Sequence, residues 1–168
     1  ENKEYDKLSN FGLNEFDVEM IKAIQEYPNL ISDLFSKTEF IKAYKEIMNF
    51  ASVGNGYIEK SAPWSLIKNG DMDNAKKVLY LCLCMAKSLC ICAAPIIPNR
   101  ATEIWQEQLN FAGAPTDENV WAKAGKIDIE KSHQTLSPKP LFARVDDEIL
   151  AKRKEEFEQT INLKDYLK

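Results

Sequence analysis

Val78 to Ile97 reads VLYLCLCMAKSLCICAAPII, the most apolar run in the chain, with Lys87 and Ser88 at its centre and Pro95 near its end. As a helix, twenty residues could cross a bilayer core. A lysine in mid-span is costly in hydrocarbon, however, and Pro95 closes the run early. The run therefore reads as a helix buried on nearly all sides inside a bundle. This one element constrains everything else, because the remaining segments must be amphipathic partners that cover it. Leu79, Cys82, Leu83, Met85, Ala86, Leu89 and Ala93 are its expected buried residues.

All four cysteines lie in this run, at 82, 84, 90 and 92. The spacing lacks the C-x2-C of common zinc sites. On a helix, residues two apart point about 200° from each other, and residues eight apart are too distant for a disulfide. The expectation is four reduced, metal-free thiols that pack as small hydrophobes, which fits a reducing cytoplasm.

The partner helices follow from periodicity. LNEFDVEMIKAIQEYPN places apolar residues at 13, 16, 20, 21 and 24, a helix expected to stop near Pro28. A second helix, with Ser36 and Glu39 at capping-box spacing, carries Phe40, Ile41, Tyr44, Ile47, Met48, Ala51, Asn55 and Ile58 on one stripe. Asp71 or Asp73 should cap the apolar helix, and Pro98 suits the first turn of the helix after it. Residues 112–142 are rich in turn formers and lack a helical period. RVDDEILAKRKEEFEQT reads as a last, strongly charged helix. No strand alternation persists, so the class is all-α, a helical bundle. The expected division is a bundle over residues 1–150 and a charged helix or tail over 151–168.

Composition narrows the function. The formal net charge is −4 with 29% charged residues, and the cations are nineteen Lys and three Arg. A broad basic face for nucleic acid or acidic lipid is excluded, so any nucleic-acid contact must be local. The single histidine, His133, lies in a polar stretch and reads as a solvated loop residue. No Gly-rich phosphate loop, metal-ligand cluster or nucleophile elbow is present. The chain begins without Met and shows no signal peptide, and it reads as a non-catalytic segment of a longer protein.

One stretch remains unexplained by packing. NGYIEKSAPW, Asn55 to Trp64, puts Asn55 on an otherwise apolar stripe between Gly54 and Gly56, then breaks the helix at Pro63 and presents an indole. The motif Asn-x-Tyr-Ile-Glu-x-x-Ala-Pro-Trp resembles a helix end in the anticodon-binding domains of methionyl-tRNA synthetases. The apolar helix, the following APIIPNRATEIW and the later KPLFARVDDE, in that order, extend the resemblance over about residues 36–150. It implies a class I synthetase anticodon-binding bundle within a ligase that joins methionine to its tRNA. ATP with Mg would act in a catalytic domain of the same chain, absent from these residues.

The resemblance also implies that Trp64 lies at the anticodon and helps to select its first base, a cytosine. The chemistry agrees, since splayed bases stack on aromatic faces without needing a basic surface. Pro63 would set the exit of the indole, Asn55 would orient the corner, and Lys60 and Lys68 would hold adjacent phosphates. The family also uses an Asn and an Arg on the helix that opens the domain, and no such pair falls near residue 1. Apolar surface belonging to that helix is expected to be exposed. Two other readings stay open. One is the corresponding bundle of a leucine, isoleucine, valine or cysteine synthetase. The other is a protein–protein module anchored by Trp64, Trp105 and Trp121.

Overall fold

The computed structural model describes residues 12–130, 132–142 and 146–160. Its elements are helices: α1 (Glu15–Ser36), α2 (Phe40–Ser61), α3 (Pro63–Lys68), α4 (Met72–Ala93), α5 (Pro98–Glu107) and α6 (Asp147–Thr160), with one 3-10 turn at Trp121–Lys123. The described residues contain no strand, as the all-α reading expected. None of the described helices is long and apolar enough to cross a membrane.

The described residues fall into two compact units that divide between Pro138 and Lys139. In the second unit, α6 forms over the charged segment, and Asp146 Oδ1 accepts from the Ile149 amide at 2.9 Å to start it. Its residues up to Glu158 are exposed. Ala143, Arg144 and Val145 of the KPLFARVDDE motif lie outside the described residues.

In the first unit α4 is the central helix, packed against α1, α2, α3 and α5. Asp71 caps it, accepting from the Asn74 amide. Central placement was expected, but the buried face is rotated from the expected one. Leu79 is 47% exposed, and Cys82, Leu83, Ala86, Leu89 and Ala93 are half-buried. Met85 is buried, together with Val78, Leu81, Cys84, Lys87, Ser88, Cys90, Ile91 and Cys92. A run this apolar has no contrast by which periodicity could orient it.

Helix α1 starts with a full capping box. Asn14 Oδ1 accepts from the Asp17 amide at 2.9 Å, and Asp17 Oδ2 accepts from the Asn14 amide at 3.0 Å. It does not stop at Pro28. The proline sits buried inside the helix, and the turns beyond it carry Ile31, which packs with Ile47 and Cys92. An interior proline costs roughly 3 kcal/mol, and burial of Ile31 with the partly buried Phe35 beyond it offsets that cost. Ser36 is consequently the last residue of α1, and Glu39 starts α2 without a side-chain cap, so the expected capping box does not form.

Helix α2 also turns a different face inward. Of the expected stripe only Ile47 is buried, while Phe40, Ile41, Tyr44 and Met48 are exposed. The buried residues are Ala43, Ile47, Phe50 and Tyr57. Two apolar stripes interleave on this helix, and the tertiary partners select one. Phe50 stacks on Tyr27 at 4.9 Å, and Tyr57 finds a buried hydrogen-bond partner on α1. Gly54 allows the close approach to α4, since a Cβ there would stand 2.6 Å from Met85 Cε.

The non-helical segment straps across the bundle. Lys87 Nζ donates to the Lys126 carbonyl at 2.9 Å and to Asp128 Oδ1 at 2.6 Å, and the Gly125 amide donates to Ser88 Oγ at 3.2 Å. The polar centre of α4 is thus the strap's docking point, and Ile127 and Ile129 enter the core beside it. His133 is not solvated: it is half-buried, stacked on Phe111 at 4.5 Å, with Nε2 2.6 Å from the Leu109 carbonyl.

Candidate anticodon-facing site

The site is built on one backbone corner. Helix α2 ends at Ala62, whose φ of 41° and ψ of 60° lie in the left-handed region. For a residue with a Cβ this costs roughly 1–2 kcal/mol. Ala62 closes α2 by donating its amide to the Ile58 carbonyl at 3.0 Å. It opens α3 by accepting from the Ser65 and Leu66 amides at 2.8 and 3.3 Å. Pro63 occupies the first position of α3, where its missing N–H goes unused. It is buried, so the proline begins a new helix after the break at Ala62.

The second residue of α3 is Trp64, 58% exposed. Ile67 and Met72 beside this end of the chain are also exposed large apolar residues. The other two tryptophans are used internally. Trp105 is buried and donates Nε1–H to the Ala112 carbonyl at 3.0 Å, and Trp121 is half-buried, edge-on to Phe35. An indole left in water while its two counterparts are packed is an unpaid apolar surface.

The remaining sequence-derived residues are placed unequally. Lys60 is in the last turn of α2, exposed, with Nζ 5.1 Å from the centre of the Phe16 ring on α1. Lys68 ends α3 and is exposed. Asn55 is exposed on α2, seven residues before the corner, and its side chain has no hydrogen bond among the described residues. The fold thus gathers Lys60, Pro63, Trp64 and Lys68 around the corner and leaves Asn55 about two helical turns away.

Sequence reasoning missed what lies under the corner. Tyr57 Oη donates to Asp17 Oδ1 at 2.7 Å, and Lys77 Nζ pairs with Asp17 Oδ2 at 2.7 Å and donates to the Gly12 carbonyl at 2.9 Å. Asp17 and Lys77 are both buried. Burial pushes the Asp17 pKa upward, but the bonds from Lys77, Tyr57 and the Asn14 amide outweigh it and hold the carboxyl below the ordinary carboxylate range. The Tyr57 phenol is pushed far up, by burial first and then by the bond to Asp17. A cleft of about 360 Å3, lined by Phe16, Glu19, Met20, Ser52, Val53, Gly56, Tyr57 and Lys60, opens between α1 and α2 at this end. The available signals were the tyrosine inside the Asn-x-Tyr motif and a lysine at the head of an apolar helix.

None of these groups is an activated nucleophile. The thiols of α4 are pushed up by burial, Cys82 and Cys84 to about 11 and Cys90 and Cys92 to about 12. Among the described residues no three His, Cys, Asp or Glu side chains are placed to hold a metal ion. An exposed indole at a helix corner, with exposed lysines four residues to either side in the chain, suits stacking and phosphate contact.

The family described as the anticodon binding domain of methionyl tRNA ligase matches residues 11–162. The methionine–tRNA ligase of Methanobrevibacter smithii is 32% identical over 138 residues, covering 82% of this chain and 20% of that protein. Those of Christiangramia forsetii and Saccharolobus islandicus are 30% and 29% identical, each over 88% of this chain and 21% and 25% of the relative. The chain therefore spans between a fifth and a quarter of the length of these relatives. With most of its length matched by that family and its Ala62–Trp64 corner built as described, the chain belongs to the anticodon-binding domains of methionyl-tRNA ligases.

Proposed function

We propose that this chain recognises the anticodon of methionine tRNA for a cytoplasmic methionine–tRNA ligase, and that Trp64 stacks on an unpaired anticodon base. The observation that carries the reading is the 58% exposure of Trp64 on a corner whose neighbour Pro63 is buried. Lys60 and Lys68 hold phosphates on either side, and Asn55 contributes at the margin. ATP and Mg belong to the ligase's activation chemistry. The positive-φ glycines described here, Gly70, Gly113 and Gly125, sit singly in turns and form no triphosphate cradle, so no step of that chemistry is assigned to these residues.

The test is binding of an anticodon stem-loop RNA to the chain, with the native first base and with that base changed. One aromatic–base stack contributes about 1–3 kcal/mol, so Trp64→Ala should weaken binding roughly 5- to 150-fold and lower the preference for the native base. In the ligase the same change should raise the KM for tRNA and leave methionine activation by ATP intact. A folded Trp64→Ala chain with parental affinity and base preference makes Trp64 a surface residue and ends the reading.

A further inference from the structure

The Tyr57–Asp17–Lys77 cluster is buried, yet it lies on the helices whose ends bracket the corner from which Trp64 projects. We propose that these three residues are the positioning device of the Ala62–Trp64 corner, holding the indole where a base can stack; this rests on the anticodon reading given above.

The cluster joins α1 to α2 and α4, the two helices that α3 connects. Asp17 is in the first turn of α1, Tyr57 is five residues before the left-handed Ala62, and Lys77 is in the second turn of α4. Helix α3 has only six residues, links α2 to α4 and packs on α4, so its direction follows from how those two helices are set. The corner itself is strained at Ala62, and such a conformation persists only where its surroundings over-determine it. Apolar packing between α1 and α2, where Met20 and Ile21 share the core with Phe50 and Tyr57, gives way to a cleft beside Gly56, Tyr57 and Lys60 and fixes no direction there. Directional bonds do. Each Asp17 oxygen is engaged, Oδ1 by Tyr57 and Oδ2 by both Lys77 and the Asn14 amide.

The chemistry fits positioning better than bulk stability. A buried ion pair is often no more stabilising than apolar residues of the same volume. What it adds is a fixed geometry, since the charges tolerate neither separation nor a slipped register.

Replacing tryptophan with 5-fluorotryptophan gives three fluorine resonances, with that of Trp64 assigned by its loss in Trp64→Phe. Tyr57→Phe keeps the buried ring and removes one bond. The expected result is a cooperatively folded protein in which the Trp105 and Trp121 resonances stay put and that of Trp64 shifts or broadens. Stem-loop affinity should fall about two- to tenfold, the size of one hydrogen bond. If Tyr57→Phe does not fold, Asp17→Asn/Lys77→Met, which removes both buried charges together, is read in the same way. A folded variant with the Trp64 resonance at its parental position and width overturns the proposal. Because this measurement needs no RNA, it stands apart from the reading of Trp64 itself. If Trp64→Ala leaves RNA binding intact while Tyr57→Phe moves the resonance, the anticodon reading fails and the positioning holds.

Discussion

At the scale of single residues, Ala62 decides more than Trp64 does. Alanine in the left-handed region stores roughly 1–2 kcal/mol, and glycine would release it. Ala62→Gly should therefore leave the melting temperature unchanged or higher, while amide exchange over residues 62–66 speeds up and RNA affinity falls. A rise in both stability and affinity would show that the strain has no positional role. Gly54 offers the converse case. A Cβ there would meet Met85 Cε at 2.6 Å, and the flexible Met side chain can move aside. Gly54→Ala is thus expected to cost only about 1–3 kcal/mol by denaturant unfolding, the usual cost of overpacking, without loss of fold. Ala62 lies inside the motif and Gly54 just before it, but neither the strain nor the contact is legible in the sequence, because each depends on how other helices are set around it.

Between elements, the joint that matters is Asp17 with Lys77. Removing one partner leaves a buried, uncompensated charge, so Asp17→Asn and Lys77→Met should each destabilise by about 3–5 kcal/mol. The double variant Asp17→Asn/Lys77→Met should recover much of that loss, which urea unfolding of the parent and the three variants would read as a large coupling. The pair also sets an acid limit. Asp17 has a folded pKa below its unfolded value. Its contribution is therefore complete above the ordinary carboxylate pKa and disappears as pH falls through the lower, folded value. Stability should decline below about pH 4, and the decline should be shallower in the double variant. Equal acid limbs in the two proteins would exclude Asp17 as a source of it.

Over the bundle as a whole, the strap makes the core complete. Gly125 has a φ of 82° and lies against α1 where Pro28 interrupts the helix, so a Cβ there would stand 3.3 Å from the Ile24 carbonyl oxygen. With Pro28 in place, that carbonyl has no i+4 amide to receive. Gly125→Ala should destabilise by roughly 1–3 kcal/mol. Lys87→Met, which deprives the Lys126 carbonyl and Asp128 of their donor, should cost a similar 1–3 kcal/mol. In both variants the amides of Ile127 and Ile129 should lose exchange protection before those of α4. Simultaneous loss would mean that strap and bundle are one cooperative unit.

Local chemistry in the sequence determined the class, the caps and the breaks that follow short-range rules. The apolar run placed α4 at the centre, Asp71 capped it, Pro98 opened α5, and the turn-rich segment stayed non-helical. The break at Ala-Pro-Trp was legible because a proline that ends a helix and an indole beyond it need no distant partner to be read, whereas the short helix α3 that Pro63 opens was not foreseen. Tertiary structure alone decided which stripe of α2 faces inward, how far α1 runs past Pro28, and which side of α4 is covered. It also decided that His133 is stacked and that Lys77 and Lys87 are buried. In each case two local solutions differ by little, and the balance is tipped by a partner many residues away: Asp17 for Tyr57 and Lys77, Asp128 for Lys87, and Phe111 for His133. Periodicity records where apolar residues recur along a helix, and it carries no information about which neighbour will meet them.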